Sequence, residues 1–313
     1  MELDASCATR ARRVPRRALT MLAVLCAGFM TVGEPAVRPG AGLASQPLEG
    51  RQDDYPHWVG QFTVLSGNAL IGALTAGISQ KLRGGSFQDG FTRGALGGAI
   101  AYAGKRIAVE RFDGAGLVGR QMSAVGSSIV RNAAEARPSL ERLFLPVGPV
   151  HVYVEPGAAR PVHARVDLAN LIWLGWAVAE PRLDFDLGAS ISSGMPVFRV
   201  PDQLIESRWG HGKASGLSAA GTILLSDISE WGEEHLRSTF AHERVHTIQD
   251  DFLFHALTGP LEEWLLQRLP GGAMVEGYID INLATNLHGL LAFAFDDYHD
   301  RPWEMEAEYL EQR

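Results

Sequence analysis

The chain has 313 residues, of which 46% are hydrophobic and 20% are charged, a balance that suits one large globular domain or two modest ones. Its net charge is −8, and the first 44 residues carry a net +3, so the rest of the chain has a net charge of −11. Such an acidic chain, with no run of Lys and Arg beyond its N-terminus, is poorly suited to nucleic acid, and we expect no nucleic-acid partner.

The N-terminus has the pattern of an export signal. Five arginines precede an apolar run from Ala18 to Val32, which is too short to span a bilayer comfortably and fits the apolar part of a signal peptide. We interpret residues 1–44 as a signal peptide and residues 45–57 as a polar linker. The sequence therefore predicts an exported protein of the periplasm or cell envelope.

The two cysteines, Cys7 and Cys26, both lie in the predicted signal peptide. Once that segment is removed, no thiol remains to form a disulfide or to bind zinc. Any metal site in the rest of the chain must therefore use histidine, aspartate and glutamate.

Residues 58–140 form a glycine- and alanine-rich block, which has no charged residue from Trp58 to Gln80. Small residues let helices approach closely, in membranes or in tight bundles. Because glycine is a poor helix former in water, helices here must be ordered by packing. Two interpretations stay open: a helical hairpin associated with a membrane, and a compact helical subdomain packed on the rest of the chain.

From about Pro146 the pattern changes to short, alternating, β-branched segments separated by Pro and Gly, which predict antiparallel strands. The segment Arg182–Ser192 is included among these strands, and Ala220–Ser226 predicts another. Between them, the Gly/Ser/Ala-rich residues 210–221 predict a flexible loop.

Three helices are expected in the last third of the chain. Residues 229–257 predict one long helix, because acidic residues crowd its first turns, where the helix dipole favours them. A second helix is predicted over residues 273–295. The last begins at Pro302, since proline suits the first position of a helix.

The long predicted helix contains the sequence HERVH. His242 and His246 are one turn apart on the same face, so both imidazoles can reach one metal ion. Glu243 stands beside them and can take a proton from a water at that metal. The preceding strand, Gly221–Leu225, is the expected edge strand for pairing with an extended substrate. The alternative is a pair of histidines that merely face solvent.

A catalytic zinc keeps three protein ligands, and the C-terminal sequence PWEMEAEYL offers the third. Together, HERVHTIQ and PWEMEAEYL resemble the gluzincin metallopeptidases. In that family a helix with HExxH is followed by a helix with a glutamate ligand, then an alanine three residues later and an acid or amide four residues later. The resemblance covers roughly residues 220–313.

The resemblance implies an α+β fold in which residues 146–313 form a zincin-like metallopeptidase domain. It implies a zinc ion, Zn²⁺, held by three residues: His242, His246 and Glu304. Glu306 and Glu308 stay open as alternative third ligands. By the same resemblance, Ala307 packs against the first helix, and Glu308 is the acid that orients a ligand histidine.

The predicted function is zinc-dependent hydrolysis of a peptide or protein substrate, with Glu243 as the general base. The alternative is a non-enzymatic, membrane-associated envelope protein built on the glycine-rich hairpin. Gln249 and Asp250, one turn beyond the second histidine, are candidates to support the ligands. Five residues are candidates to stabilise an oxyanion: His255, His288, His299, Tyr278 and Tyr298.

Overall fold

The computed structural model describes most of the chain from residue 57 onward, in the ranges 57–201, 205–207, 212–227, 232–284, 287 and 301–311. The predicted signal peptide lies outside the described residues. So does the predicted linker, except for its last residue, His57, which begins the first helix. The fold is mixed α+β, mostly helical with small sheets, and the predicted class is confirmed at that level.

Three helices occupy the glycine-rich block: α1 (His57–Leu82), α2 (Phe87–Ala108) and α3 (Ala115–Ala134). Glycines lie where α1 and α2 cross. A side chain at Gly98 would overlap the backbone of Asn68, and one at Gly94 would overlap the backbone of Gly72. Only glycine permits this close approach, and the packing offsets its low helix propensity.

The first sheet begins with three antiparallel strands, β1 (Leu143–Val147), β2 (Val150–Val154) and β3 (Val162–Asp167). Successive side chains of β2 point to opposite faces of the sheet, and those of His151 and Tyr153 point into the protein. A fourth strand, β10 (Ile279–Asp280), pairs with β3 in parallel.

The chain then forms helix α4 (Leu168–Ala179), the short strand β4 (Asp184–Phe185) and helix α5 (Leu187–Ser193). The strand predicted over Arg182–Ser192 is therefore mostly wrong. Asp186 explains the difference, because its carboxylate accepts a hydrogen bond from the backbone N–H of Ala189, at 2.8 Å. A capping carboxylate at that position starts a helix instead of extending a strand.

The second sheet has the order β4–β5–β9–β8, with β5 (Val197–Pro201), β8 (Gly216–Ala219) and β9 (Thr222–Asp227). A separate small hairpin joins β6 (Ile205–Ser207) and β7 (Gly212–Ala214). The expectation of antiparallel strands throughout is wrong, since β5–β9 and β3–β10 are parallel. Both pairs are separated by long stretches of chain, as parallel pairing requires.

A tight hairpin connects β8 and β9. Ala220 and Gly221 both have positive φ, at 45° and 76°, as the two-residue turns that suit twisted strands require. The predicted flexible loop over residues 210–221 thus includes two strands, β7 and β8. The expected edge strand, Gly221–Leu225, is also corrected: β9 is interior, and β8 lies at the edge of the described sheet.

Five helical segments complete the described chain: α6 (Glu233–Leu253), a π-helical turn (Phe254–Thr258), α7 (Gly259–Leu266), α8 (Gly272–Glu276) and α9 (Pro302–Glu311). The start of α9 at Pro302 confirms that prediction. The helix predicted over residues 273–295 is interrupted: its first residues form α8, β10 follows, and residues 284 and 287 are helical again. Residues 285, 286 and 288–295 lie outside the described residues. Glu262 accepts the backbone N–H groups of residues 281–283, within the interruption.

Helix α6 lies at the centre of the molecule. Val245 is fully buried against α2 and α9, where it packs with Tyr102 and Ala307. Ile248 is fully buried on the side of the second sheet, where it packs with Val197 and other apolar residues. Because both sides of α6 are packed, the residues it carries between those sides are held in fixed orientations.

Candidate metal centre

The HERVH sequence lies in the middle of α6, and α9 crosses it directly. Ala307 is fully buried and packs in one cluster with Ala241 and Val245 of α6, which confirms its predicted role. The absence of a longer side chain at Ala307 lets the two helices approach closely. This approach brings Glu304, in the first turn of α9, onto the histidines of α6.

Two imidazole nitrogens and one carboxylate oxygen converge at this point. The Nε2 atoms of His242 and His246 are 2.8 Å apart, and Oε2 of Glu304 lies 3.2 Å from the first and 2.9 Å from the second. All three residues are buried, with no more than 9% of each residue exposed. The structure therefore brings together the three residues predicted as ligands.

The opposite nitrogen of each imidazole is also engaged. Nδ1 of His242 lies 2.8 Å from Oε2 of Glu311, and Nδ1 of His246 lies 2.8 Å from Oε1 of Gln249. Both oxygens are acceptors, so each Nδ1 carries the proton and donates it. Each Nε2 then presents a lone pair to the centre, the tautomer that a metal ligand needs.

One of these contacts was not predicted. The carboxylate at Nδ1 of His242 belongs to Glu311, whereas the sequence prediction named Glu308 as the acid that orients a ligand histidine. Gln249 supports His246 as the sequence suggested.

The residues present fit a divalent metal ion. Three electron-rich atoms face one another, an arrangement that is stable only with a proton or a cation among them. Zinc bonds of about 2.0–2.1 Å in a tetrahedron separate neighbouring donor atoms by roughly 3.3 Å. The observed separations of 2.8–3.2 Å lie a few tenths of an ångström below that value, a difference that small side-chain rotations can supply.

The pKa values of the two histidines also indicate that the site favours a positive charge. Burial by itself would lower the pKa of His242, but hydrogen bonds to Glu304 and Glu311 outweigh it and raise that pKa well above 6.5. Burial also opposes protonation of His246, and the nearby charge of Glu304 again raises its pKa.

Glu243 lies next to the cluster with its carboxylate buried. It faces β8, where a side chain added at Gly216 would lie 2.6 Å from Oε1 of Glu243. Its carboxylate accepts no hydrogen bond from the described residues. Burial raises the pKa of Glu243, while the neighbouring His242 and His246 oppose that shift. A carboxylate of this kind is suited to accept and return a proton.

The remaining candidates lie elsewhere. Glu306 points away from the cluster and pairs with Lys105 at 2.7 Å. His255 is fully buried and stacks on Phe144, with ring centroids 4.4 Å apart, and Tyr278 is mostly exposed. Three oxyanion candidates lie outside the described residues: His288, His299 and Tyr298.

A cavity of about 340 Å³ opens on another side of α6, lined in part by Phe240, Arg244 and Glu311. The ligand histidines do not line it. Arg244 follows His242 by two residues, so it points to nearly the opposite side of the helix. The cavity therefore lies beside the histidine cluster, and Glu311, which contacts His242, belongs to the lining of the cavity.

Sequence reasoning missed Glu311, which lies in the last turn of α9. Its signal was present but weak, because positions 304 and 311 are seven residues apart and share one face of a helix. Comparisons with family models, with curated protein sequences and with solved structures found no match to this chain.

Proposed function

We propose that this protein is a zinc-dependent peptidase whose metal is held by His242, His246 and Glu304. The observation that carries the proposal is the convergence of two Nε2 atoms and one carboxylate oxygen within 3.2 Å of one another. Three protein ligands leave one position open, as catalytic zinc sites do. The donor set is also the one implied by the gluzincin resemblance. The proposal therefore includes a zincin-like domain over residues 146–313.

When bound, zinc would supply a water of lowered pKa and a Lewis acid for the scissile carbonyl. Glu243 would accept the proton of the attacking water and pass it to the leaving amine nitrogen. The Glu243 carboxylate is buried and accepts no hydrogen bond from the described residues. This supports the role, because burial raises its pKa. His242 and His246 keep their Nε2 lone pairs inward because their Nδ1 protons are donated to Glu311 and Gln249.

The substrate is proposed to be a peptide in extended form. β8 lies at the edge of the described sheet, and its Gly216 lies directly beside Glu243. An edge strand offers unpaired backbone groups, which an extended peptide can pair with. Such pairing would place the scissile bond along α6, next to the general base.

The test combines metal content with peptide cleavage. Wild-type protein should carry about one zinc ion per chain and cleave members of a mixed peptide library, as read by mass spectrometry. Glu243→Gln should retain the zinc and lose cleavage by about 10²–10⁴-fold, the range that a general base contributes.

The matched control is Glu233→Gln, the same chemical change at an exposed position of the same helix, where the side chain is 86% exposed. It should leave metal content and cleavage unchanged. A folded wild-type protein that takes up no zinc, or a Glu243→Gln variant that cleaves as fast as wild type, would contradict the proposal.

One observation favours a second candidate, a membrane-associated envelope protein. Within the described residues, α1 is the one helix long and apolar enough to cross a membrane, over Val59–Leu82. The glycines of this block are accounted for by packing among α1, α2 and α3. Carbonate extraction of membranes tests whether α1 spans a membrane, because an integral protein stays with the membrane and a peripheral one is released.

A further inference from the structure

A partly buried chain of hydrogen bonds connects the glycine-rich block to the candidate metal centre. Lys105 of α2 is only 4% exposed, and its Nζ donates to Oε2 of Glu306 at 2.7 Å and to Oδ1 of Asn68 at 2.9 Å. Asn68 of α1 donates in turn to Oε1 of Glu306 at 2.7 Å. Both oxygens of the Glu306 carboxylate are thus held by residues of the block.

Glu306 passes this constraint to Gln249. The amide nitrogen of Gln249 donates to Oε2 of Glu306 at 2.8 Å and to the backbone oxygen of Trp303 at 3.0 Å. Both partners are acceptors only, so the amide cannot turn over without placing its oxygen against them. The oxygen of Gln249 must therefore face Nδ1 of His246.

The orientation of Gln249 decides the tautomer of His246. An amide oxygen can only accept, so Nδ1 of His246 is the donor and its Nε2 keeps the lone pair that faces the cluster. A rotated amide would point N–H groups at Nδ1 and favour the other tautomer, in which Nε2 carries the proton. Such a histidine could not bind a metal ion through Nε2.

We propose that Lys105, together with Asn68, is a positioning residue of the metal centre and acts through Glu306 and Gln249 on His246. This inference rests on the proposed zinc site. It assigns a role to the glycine-rich block: the block completes the hydrogen-bonded surroundings of a ligand carried by α6. The close approach of α1 and α2, which their glycines permit, brings Asn68 and Lys105 onto the same carboxylate.

A second buried ion pair between the block and α6 provides a matched control. Arg120 of α3 donates to Asp251 of α6 at 2.6 Å, and the Arg120 side chain is 1% exposed. Arg120 also donates to the backbone oxygen of Gly194. None of these hydrogen bonds involves a predicted metal ligand. Loss of Arg120 would weaken the attachment of the block without changing Gln249.

The experiment measures zinc affinity by competition with a chelator for wild type and three variants: Lys105→Met, Asn68→Ala and Arg120→Met. Lys105→Met should bind zinc about tenfold more weakly, at the low end of the effects of losing partners of ligating histidines. Asn68→Ala, which leaves no buried charge unpaired, should weaken binding by about threefold. Arg120→Met should lower stability to unfolding and keep wild-type affinity.

The outcomes separate the inference from the proposed function. Zinc binding by wild type, with unchanged affinity in Lys105→Met, overturns the positioning role and leaves the zinc site standing. If Lys105→Met does not fold, unchanged affinity in Asn68→Ala overturns it instead. An equal loss of affinity in Arg120→Met would also overturn it, because general loosening of the block would then explain the effect. A wild-type protein that binds no zinc overturns both.

Discussion

Two buried histidine clusters, one in the first sheet and one at the candidate metal centre, differ in what surrounds their nitrogens. His151 has Nδ1 2.8 Å from Oδ2 of Asp280 and Nε2 3.3 Å from Oδ2 of Asp167. Asp280 also accepts from Tyr153, at 2.9 Å. Every nitrogen of this histidine faces an acceptor, so a protonated ring satisfies the cluster without any added ion.

The cluster of His242 and His246 cannot be satisfied in the same way. Each Nδ1 has an acceptor of its own. The two Nε2 atoms lie 2.8 Å from each other, and both lie next to the same carboxylate oxygen of Glu304. Burial and nearby carboxylates are common to both clusters. What separates the structural histidine from the candidate ligands is whether its second nitrogen shares its acceptor with another imidazole nitrogen, as His242 and His246 share Oε2 of Glu304.

The largest expected effect tests this difference directly. His246→Ala should weaken zinc binding by on the order of a hundredfold or more, because one of three protein ligands is lost. His151→Ala, an equally buried histidine, should destabilise the protein and leave the zinc affinity of the folded fraction unchanged. Isothermal titration with zinc measures the zinc affinity of both variants. A zinc affinity that falls equally in both variants would remove the distinction.

The second effect is a pH-dependent stability that comes from His151. Burial by itself would lower its pKa, but hydrogen bonds and charge from Asp167 and Asp280 raise the pKa to about 9 from 6.5. The folded state therefore holds the proton more tightly than the unfolded state. The stabilisation is fully present below pH 6.5 and is lost as pH rises through 9.

This stabilisation amounts to roughly 3 kcal/mol. Urea unfolding between pH 6 and 9.5 should show a falling free energy of unfolding for wild type and a flatter dependence for His151→Gln. Both proteins are measured at one zinc concentration, so the metal centre contributes equally. Parallel curves for the two proteins would show that His151 does not titrate as a buried cation.

The third effect concerns added metal. Zinc at a hundred times its dissociation constant should stabilise wild type by about 2.7 kcal/mol, and a chelator should reverse the gain. Glu304→Gln should lose most of this increment. Asp280→Asn should begin from a lower stability and still gain the full increment, because its cluster does not bind metal. Thermal unfolding with and without zinc gives all three values.

The smallest effect distinguishes two acids on α9. Glu311→Gln should weaken zinc binding by about tenfold, since the carboxylate that accepts the Nδ1 proton of His242 is replaced by a weaker acceptor. Glu308→Gln, the same change at the position that sequence reasoning favoured, should bind zinc as wild type does. The reverse result would place the orienting acid at Glu308.

Much of the candidate site could be predicted from the sequence because its spacing is local. Residues four apart on a helix share a face, which makes His242 and His246 neighbours wherever α6 lies. The motif around Glu304 and Ala307 predicted which residues of the last helix would meet that face. Reasoning failed where a distant residue decided the local structure. Residues 281–283, directly after β10, are not helical, and the carboxylate of Glu262, about twenty residues earlier, accepts their N–H groups.

The sequence by itself determined the helix that carries HERVH, the start of α9 at Pro302, and the three side chains that converge. Only the tertiary structure decided what surrounds them. Lys105 and Glu306 are 201 positions apart, and no periodicity relates residues at such a distance. Their contact depends on how closely three helices pack and where α9 crosses α6. The pair of candidate histidine ligands follows from helical periodicity, and Glu304 was implied by the resemblance to the gluzincin motif. The groups that orient the histidines follow from the packing of the whole chain.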